Sequence, residues 1–277
     1  MTTVRDCWDE YVRTHIPTTI GTSANVRYWG RLSWFQNLNP EASSFPMEVK
    51  AYLKTRKVAP GTVNRELAIL RAALRHAERE GLISKSPIVR GLPKPPPRMR
   101  SLTREEAKAM IDGADRLRRW KERVYIRLAL STGQRPDAIT GLTWDQVDFT
   151  NRVIDFRPVC EKSSRMKNRA IVPINDLAAK ALSIAKLHED GDYVINFSGS
   201  RLNHPRDMIK RIAKEAGIKD VSPHVLRHTV ASLLLQDGVD LLKVSKLLGH
   251  SSTLITQQVY FQHPPSWLKE TTNLLRY

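Results

Sequence analysis

The segment from residue 222 to residue 227 places an imidazole and a guanidinium at the start of a predicted helix. Ser222 is a favourable N-cap, and Pro223 suits the first helical position, so a helix should begin here. His224 and Arg227 then lie one turn apart on the same helix face. Because a helix N-terminus attracts negative charge, this pair is suited to binding an anion.

The apolar residues of this helix predict which of its sides is buried. We expect His224 and Arg227 to face outward, because four apolar residues would face the core: Leu226, Val230, Leu233 and Leu234. His224 and His228 also have the i,i+4 spacing of a metal-binding pair, but no Glu follows the first His and no third ligand is evident. A metal site is therefore disfavoured.

A histidine and a tyrosine follow further along the chain. A helix predicted at about 240–248 ends at Gly249, a typical C-cap residue, and His250 stands immediately beyond it. Tyr260 comes ten residues later. Taken alone, such residues are more often a surface histidine and a half-buried aromatic, so neither identifies a function by itself.

Together with a TGQRP run that contains Arg135, these segments resemble the tyrosine recombinase, or phage integrase, family. The family pattern is an Arg after T-G-x, then H-x-x-R, then a His or Trp in an L-G-H segment, then a nucleophilic Tyr. The matching runs cover about residues 101–263 in the same order: TGQRPDAITGLTWDQVDF, SPHVLRHTVASLLL, LLGHSS and VYFQH. The helical N-terminal half, with TVNRELAILRAALRHAEREGLISKSP, is similar to the core-binding domain of the family.

The resemblance implies a site-specific DNA recombinase in which Tyr260 attacks a backbone phosphate and forms a 3′-phosphotyrosyl link. A 5′-hydroxyl from another strand would then reseal the DNA. Arg135 and Arg227 would hold the non-bridging oxygens with planar, permanently charged donors. His224 and His250 would add hydrogen bonds, and His224 could also take the phenol proton. Since an unperturbed Tyr has a pKa of about 10, this cationic pocket would favour the phenolate.

The implied reaction needs no cofactor and no metal ion. The sequence agrees with this expectation, because it has no GxxxxGK[ST] motif and no aspartate-rich cluster.

The chain departs from the family pattern three positions after the first Arg. Family members usually carry an acidic residue there, and this chain has Ala138, with Asp137 one position earlier. Either Asp137 supplies the contact from a shifted position, or no such contact is needed.

The family also places a catalytic Lys in a β-hairpin, and the predicted turn EKSSRMKNRAIVP offers Lys162, Arg165 and Lys167. An ungapped count back from Pro173 reaches Arg165, which cannot easily release a proton. We therefore assign the general-acid role to Lys167, with Lys162 as the alternative.

The periodicity of apolar residues predicts a mainly α fold, and a stretch with four prolines at 91–100 divides the chain into two domains. Residues 1–92 are expected to form a helical core-binding domain, 93–100 a basic Pro-rich linker, and 101–277 an α-rich catalytic domain with a small β-sheet. In the first domain, Thr62 is predicted to cap a helix that ends at Gly81. Its buried face would consist of Val63, Leu67, Leu70, Leu74 and Ala77. Earlier helices are predicted at about 3–14, 22–37 and 46–55.

In the second domain, Thr103 and Glu106 form a predicted capping box at the start of a helix. Residues 152–157 and 169–174 are expected to pair as a β-hairpin. Further helices are predicted at about 120–132, 175–188, 204–216, 223–237 and 240–248, and a short one near 253–260.

The charge of the chain points to a polyanionic partner. Lys and Arg number 45 against 28 Asp and Glu, which gives a net charge of +17. Both halves contribute, since residues 1–97 carry 15 minus 8, or +7, and the remainder carries 30 minus 20, or +10. Two basic lobes favour a nucleic-acid ligand over a merely solubilising surface or a membrane surface, and the resemblance implies double-stranded DNA.

The sequence gives no sign of a membrane or secreted protein. It has no apolar run of about 18 residues and no apolar signal region at its start. Cys7 and Cys160 fall in different predicted domains and are expected to be reduced, buried thiols. A cytoplasmic, nucleoid-associated protein is expected.

The resemblance further implies a homotetramer on DNA, since recombination exchanges two duplexes, with accessory DNA-bending or directionality proteins as possible partners. The segment after Tyr260 could form a short helix that docks on a neighbouring protomer or packs in cis. The same residues would also serve a type IB topoisomerase, a telomere resolvase or a catalytically silent DNA-binding descendant. The intact set of five site residues argues against the last of these.

Overall fold

The structure is a computed structural model that describes residues 2–15, 27–93, 100–157, 170–202 and 205–250. The described residues up to 93 fall in one compact unit, and those from 100 to 250 fall in a second. Helices dominate both units, which confirms the mainly α fold class. Among the described residues, no helix is long and apolar enough to cross a membrane.

The first unit is a small helical bundle. It contains α1 (Val4–Thr14), a 3-10 segment (Gly30–Phe35), α2 (Phe45–Thr55) and α3 (Pro60–Arg79). Its core includes the predicted stripe of α3, and all five of its members are fully buried: Val63, Leu67, Leu70, Leu74 and Ala77. Cys7 is buried in this core as expected, and burial raises the pKa of its thiol to about 11.

Two predictions for this unit are wrong in detail. Helix α3 does not begin at a Thr62 cap but at Pro60, because proline suits the first helical position and Ala59 serves as N-cap. Residues 22–37 are not one continuous α-helix in their described part. An α-helical turn at 27–29 passes at Gly30 into 3-10 structure, and Leu32 has non-helical dihedral angles.

The second unit contains seven α-helices among its described residues. They are α4 (Arg104–Arg116), α5 (Trp120–Thr132), α6 (Pro136–Thr140), α7 (Asp176–Lys186), α8 (Pro205–Ala216), α9 (Pro223–Gln236) and α10 (Leu241–Leu248). The predicted capping box at the start of α4 is present. Thr103 Oγ1 accepts from the Glu106 amide at 3.2 Å, and the Glu106 carboxylate accepts from the Thr103 amide at 3.0 Å. The bounds of the other predicted helices agree within two residues, and the one near 253–260 lies outside the described residues.

A small antiparallel sheet completes this unit. Strands β1 (Val147–Asp148), β2 (Val153–Asp155) and β3 (Ile171–Pro173) pair in the order β1-β2-β3. The register pairs Ile154 with Val172, so the predicted hairpin of β2 and β3 is confirmed. Strands β4 (Asn196–Phe197) and β5 (Ser200–Arg201) form a separate short hairpin.

The half-buried side chain of Gln146 lies beside this sheet. It bonds to the last residue of β2 and to the chain that follows. Its Nε2 donates to the backbone carbonyls of Asp155 and Arg157 at 2.8 and 2.6 Å.

Candidate active site

The candidate site lies where α5 ends, α9 begins and α10 ends. Helix α5 stops at Gly133, which adopts the left-handed conformation with φ of 63°. A Cβ at this position would lie 2.7 Å from Leu248 Cδ2 and 3.0 Å from Val230 Cγ1. The loop after α5 therefore packs directly against both α9 and α10, and a residue with a side chain there would be strained by its positive φ and would force Leu248 to shift.

Arg135 extends from this loop toward the end of α10. It is the N-cap of the short helix α6, in which Pro136 occupies the first position. Its side chain is half-buried, and Nη1 donates to the Gly249 carbonyl at 3.3 Å. This contact brings the predicted Arg135 next to the segment that carries His250.

Arg227 is buried, with 7% of its surface exposed, so the expectation that it faces solvent is wrong. The α5 loop covers it, and its Nη1 donates to the Gly133 carbonyl at 3.0 Å. Its Nη2 is also buried and has no hydrogen-bond partner among the described residues. Burial, with a further contribution from the nearby Arg135, lowers the pKa of Arg227 to about 9. The group is still charged at neutral pH, and an oxyanion would satisfy its remaining donor.

The two histidines of α9 differ in their surroundings. His224 is exposed in the first turn, whereas His228 is half-buried one turn later. Burial, together with the charges of His224 and Arg227, lowers the pKa of His228. Within the described part of the chain, no group of three or more His, Cys, Asp or Glu side chains is arranged to hold a metal ion.

His250 directly follows the end of α10. Gly249 caps this helix in the left-handed conformation, with φ of 65°, as its position in the sequence predicts. The His250 amide donates to the Ser245 carbonyl at 3.0 Å, which fixes the direction of the chain. The imidazole is half-buried, and burial, with the charges of Arg227 and Arg135, lowers its pKa to about 4. It is therefore neutral at pH 7.

Position 138, where the family pattern has an acidic residue and this chain has Ala138, does not face Arg227 with a carboxylate. Ala138 is buried inside α6, with 2% of its surface exposed. Asp137 is exposed, and its backbone carbonyl accepts from Arg201 Nη2 at 2.9 Å. Among the described residues, no acidic side chain is hydrogen-bonded to Arg227.

The other predicted site residues lie outside the described residues. These are Tyr260 and the candidates from the hairpin turn, Lys162, Arg165 and Lys167, and the same holds for Cys160. The described site thus brings Arg135, Arg227 and His250 together, with His224 exposed one helical turn before Arg227.

Sequence reasoning missed one residue of this site, Gln134. Its side chain is buried, with 2% of its surface exposed, and its Nε2 donates to the Leu247 carbonyl at 2.7 Å. The signal for it is weak, because a polar residue beside an arginine in a loop is usually exposed.

Comparisons with known proteins place the chain in a family. Residues 100–266 match the model of the phage integrase family. Tyrosine recombinase XerC of Thermodesulfovibrio yellowstonii is 28% identical over 82% of this chain and 80% of its own length. The integrase of Salmonella phage P22 is 32% identical over 78% of this chain and 58% of its own length.

A solved structure of the Tn1549 transposon integrase, in complex with circular intermediate DNA, matches the fold. It covers 100% of both chains with a TM-score of 0.81, at 18% identity. The chain belongs to the phage integrase family, whose members are tyrosine recombinases.

Proposed function

We propose that this chain is a site-specific DNA recombinase that cuts and rejoins double-stranded DNA through a 3′-phosphotyrosyl intermediate at Tyr260. The observation that carries the proposal is the buried Arg227. Its Nη2 has no partner among the described residues, and it lies close enough to Arg135 for the two charges to interact. A buried cation with an open donor is costly unless an anion occupies the site, and the DNA phosphate is that anion.

The remaining roles follow from the chemistry of phosphoryl transfer. Arg135 and Arg227 stabilise the charge that develops on the non-bridging oxygens. His250, which is neutral, donates a hydrogen bond, and the exposed His224 also takes the proton of the Tyr260 phenol. Lys167 delivers a proton to the departing 5′ oxygen. The bond energy is kept in the phosphotyrosyl link, so a second 5′-hydroxyl can reverse the step.

The assembly proposed for this reaction is a homotetramer on two DNA duplexes, because strand exchange requires four cleavage events. Residues 1–92 form the core-binding domain, 93–100 the linker and 101–277 the catalytic domain. Accessory DNA-bending or directionality proteins complete the complex. Because the substrate is DNA, we propose that the protein acts in the cytoplasm with the nucleoid. The net charge of +17 supports binding to DNA.

The test is a covalent-adduct assay on nicked duplex DNA that carries the junction sequence flanking the gene. Wild-type protein should form an adduct that survives denaturing electrophoresis, and Tyr260→Phe should bind the same DNA without forming one. Tyr193→Phe is a matched control, because Tyr193 is a half-buried tyrosine elsewhere in the second unit. An adduct that persists in Tyr260→Phe removes this residue from the mechanism, and no adduct with the wild type would indicate a silent DNA-binding descendant.

A further inference from the structure

We infer that Gln134 is a positioning residue that holds the His250 end of α10 against the loop that carries Arg135. Only the catalytic consequence of this inference rests on the proposed function. The contact itself is a property of the folded chain.

The amide of Gln134 bridges two helix ends. Its Nε2 donates to the Thr132 carbonyl at the end of α5, at 3.2 Å, and to the Leu247 carbonyl at the end of α10, at 2.7 Å. The backbone amide of Gln134 donates to Thr132 Oγ1 at 3.3 Å. With 2% of its surface exposed, the residue has almost no contact with water, so both of its bonds are made inside the protein.

The end of α10 needs partners of this kind. The last four carbonyls of any helix have no N–H donor within the helix. Here the Gly249 and His250 amides satisfy two of them, those of Lys246 and Ser245. The Leu247 carbonyl is satisfied by Gln134.

Arg135 adds a second bond from the same loop, since its Nη1 donates to the Gly249 carbonyl at 3.3 Å. Two consecutive residues, Gln134 and Arg135, thus bond to carbonyls just before His250. These carbonyls lie 113 and 114 positions further along the sequence. Because the Gln134 bond is the shorter of the two and the Gln134 side chain is buried whereas that of Arg135 is half-buried, the Gln134 amide fixes the register between the two segments.

Methionine at position 134 would keep the length and the apolar stem of the side chain but remove the donor. The carbonyl of the half-buried Leu247 would lose its partner and would bind water or shift. We expect the His250 imidazole to move away from Arg135 and Arg227 and to become better hydrated. Its pKa should then rise toward its ordinary value of about 6.5.

The experiment is an NMR titration of His250 in the free, full-length protein, assigned by the signal that is missing from His250→Phe. In the wild type the imidazole should titrate near its pKa of about 4, and Gln134→Met should move the midpoint clearly upward. Gln146→Met is the matched control, because Gln146 also donates from Nε2 to two backbone carbonyls, but beside the sheet. It should leave the His250 midpoint unchanged. An unchanged midpoint in Gln134→Met, or an equal shift in the control, overturns the inference.

A measurement on the wild type guards against a variant that does not fold. The side-chain amide protons of Gln134 should exchange with solvent far more slowly than those of an exposed glutamine such as Gln236, because Gln134 is buried and bonded. Exchange at the same rate would contradict the inference.

The catalytic consequence is measured separately on the nicked duplex. Gln134→Met should slow adduct formation at saturating DNA by about 10- to 100-fold, as expected for a small displacement of a catalytic group. The Kd for DNA should stay within about twofold, because the phosphate contacts made elsewhere are retained. If the wild type forms no adduct, the proposed function fails, whereas the titration still decides the role of Gln134.

Discussion

At the scale of single residues, the surroundings of His250 define what this side chain can contribute. It is half-buried and lies near Arg227 and Arg135, and these surroundings lower its pKa to about 4. In the free protein it is therefore neutral at pH 7, so it can donate one hydrogen bond but carries no charge. A tryptophan indole also provides a neutral N–H donor. This gives a chemical reason why the family pattern has either His or Trp at this position.

We expect His250→Trp to retain most of the adduct-forming rate and His250→Phe to lose about 10- to 100-fold, because only the first keeps a neutral N–H donor. The measurement is the rate of adduct formation on nicked duplex at pH 7 and pH 8. Equal losses in the two variants would show that His250 acts as a base or a cation instead.

The second prediction at this scale concerns the general acid. Lys167→Ala should cleave a 5′-bridging phosphorothiolate at close to the wild-type rate while it is slowed by about 10²–10⁴-fold on normal DNA, because a thiolate leaves without a proton. Arg135→Ala should be slow on both substrates, since its charge acts on the non-bridging oxygens. Rescue in Lys162→Ala in place of Lys167→Ala would assign the role to Lys162. Rescue in neither would make His250 and Arg165 the next candidates for the proton donor.

The sequence identified Arg135, Arg227 and His250 as candidates because the runs that contain them match, in order, the pattern of the phage integrase family. It could not predict that Arg227 is buried. Apolar residues occur around most of α9, so the pattern does not define one buried face, and the Gly133 carbonyl that covers the guanidinium is 94 positions away. The role of Gln134 could not be predicted for the same reason, because the Leu247 carbonyl to which it donates is 113 positions away.

At the scale of elements, the site depends on three helix ends that meet at Gly133. The positive φ of this residue turns the chain, and the absence of a side chain lets it approach Val230 on α9 and Leu248 on α10. These two requirements are independent, because other glycines of the same unit have a positive φ without any close neighbour. Gly217, after α8, is one of them, with φ of 70° and nothing within 4 Å of an added Cβ.

Gly133→Ala should therefore destabilise the protein more than Gly217→Ala. Gly217→Ala is the control, and its loss of stability measures the backbone strain of an alanine at positive φ, about 1 kcal/mol or more. The first variant adds overpacking against α9 and α10, which typically costs about a further 1–3 kcal/mol. Chemical denaturation gives both values, and equal losses in the two variants would mean that the three helix ends do not pack as tightly as described.

Most elements could be predicted from the sequence because their ends carry local signals. The caps at Thr103, Ser222 and Gly249 are all present as expected. The elements that were missed, such as α6, β1 and the β4–β5 hairpin, contain two to five residues, which is too few for a hydrophobic period to be recognised. Their positions are set by tertiary contacts.

At the scale of the whole molecule, both units carry positive charge, and a duplex bound by both would release many counterions. We expect the plot of log K against log salt concentration for the DNA duplex to have a slope of about −6 or steeper. Arg75→Ala removes an exposed cation from α3 and should reduce the slope by about 1 if this helix contacts the backbone. A nearly flat slope for the wild type would indicate a different kind of partner.

The open donor of Arg227 also links the folding equilibrium to what occupies the site. A ligand that binds only the native protein raises its melting temperature, and a guanidinium already stripped of water gains most from a fitting oxyanion. Sulfate should therefore stabilise the wild type more than chloride at equal ionic strength, and Arg227→Met should lose this difference. Melting curves can then be used to search for the DNA site. Duplexes that place a phosphate against Arg227 would raise the melting temperature and could be identified before any cleavage is measured.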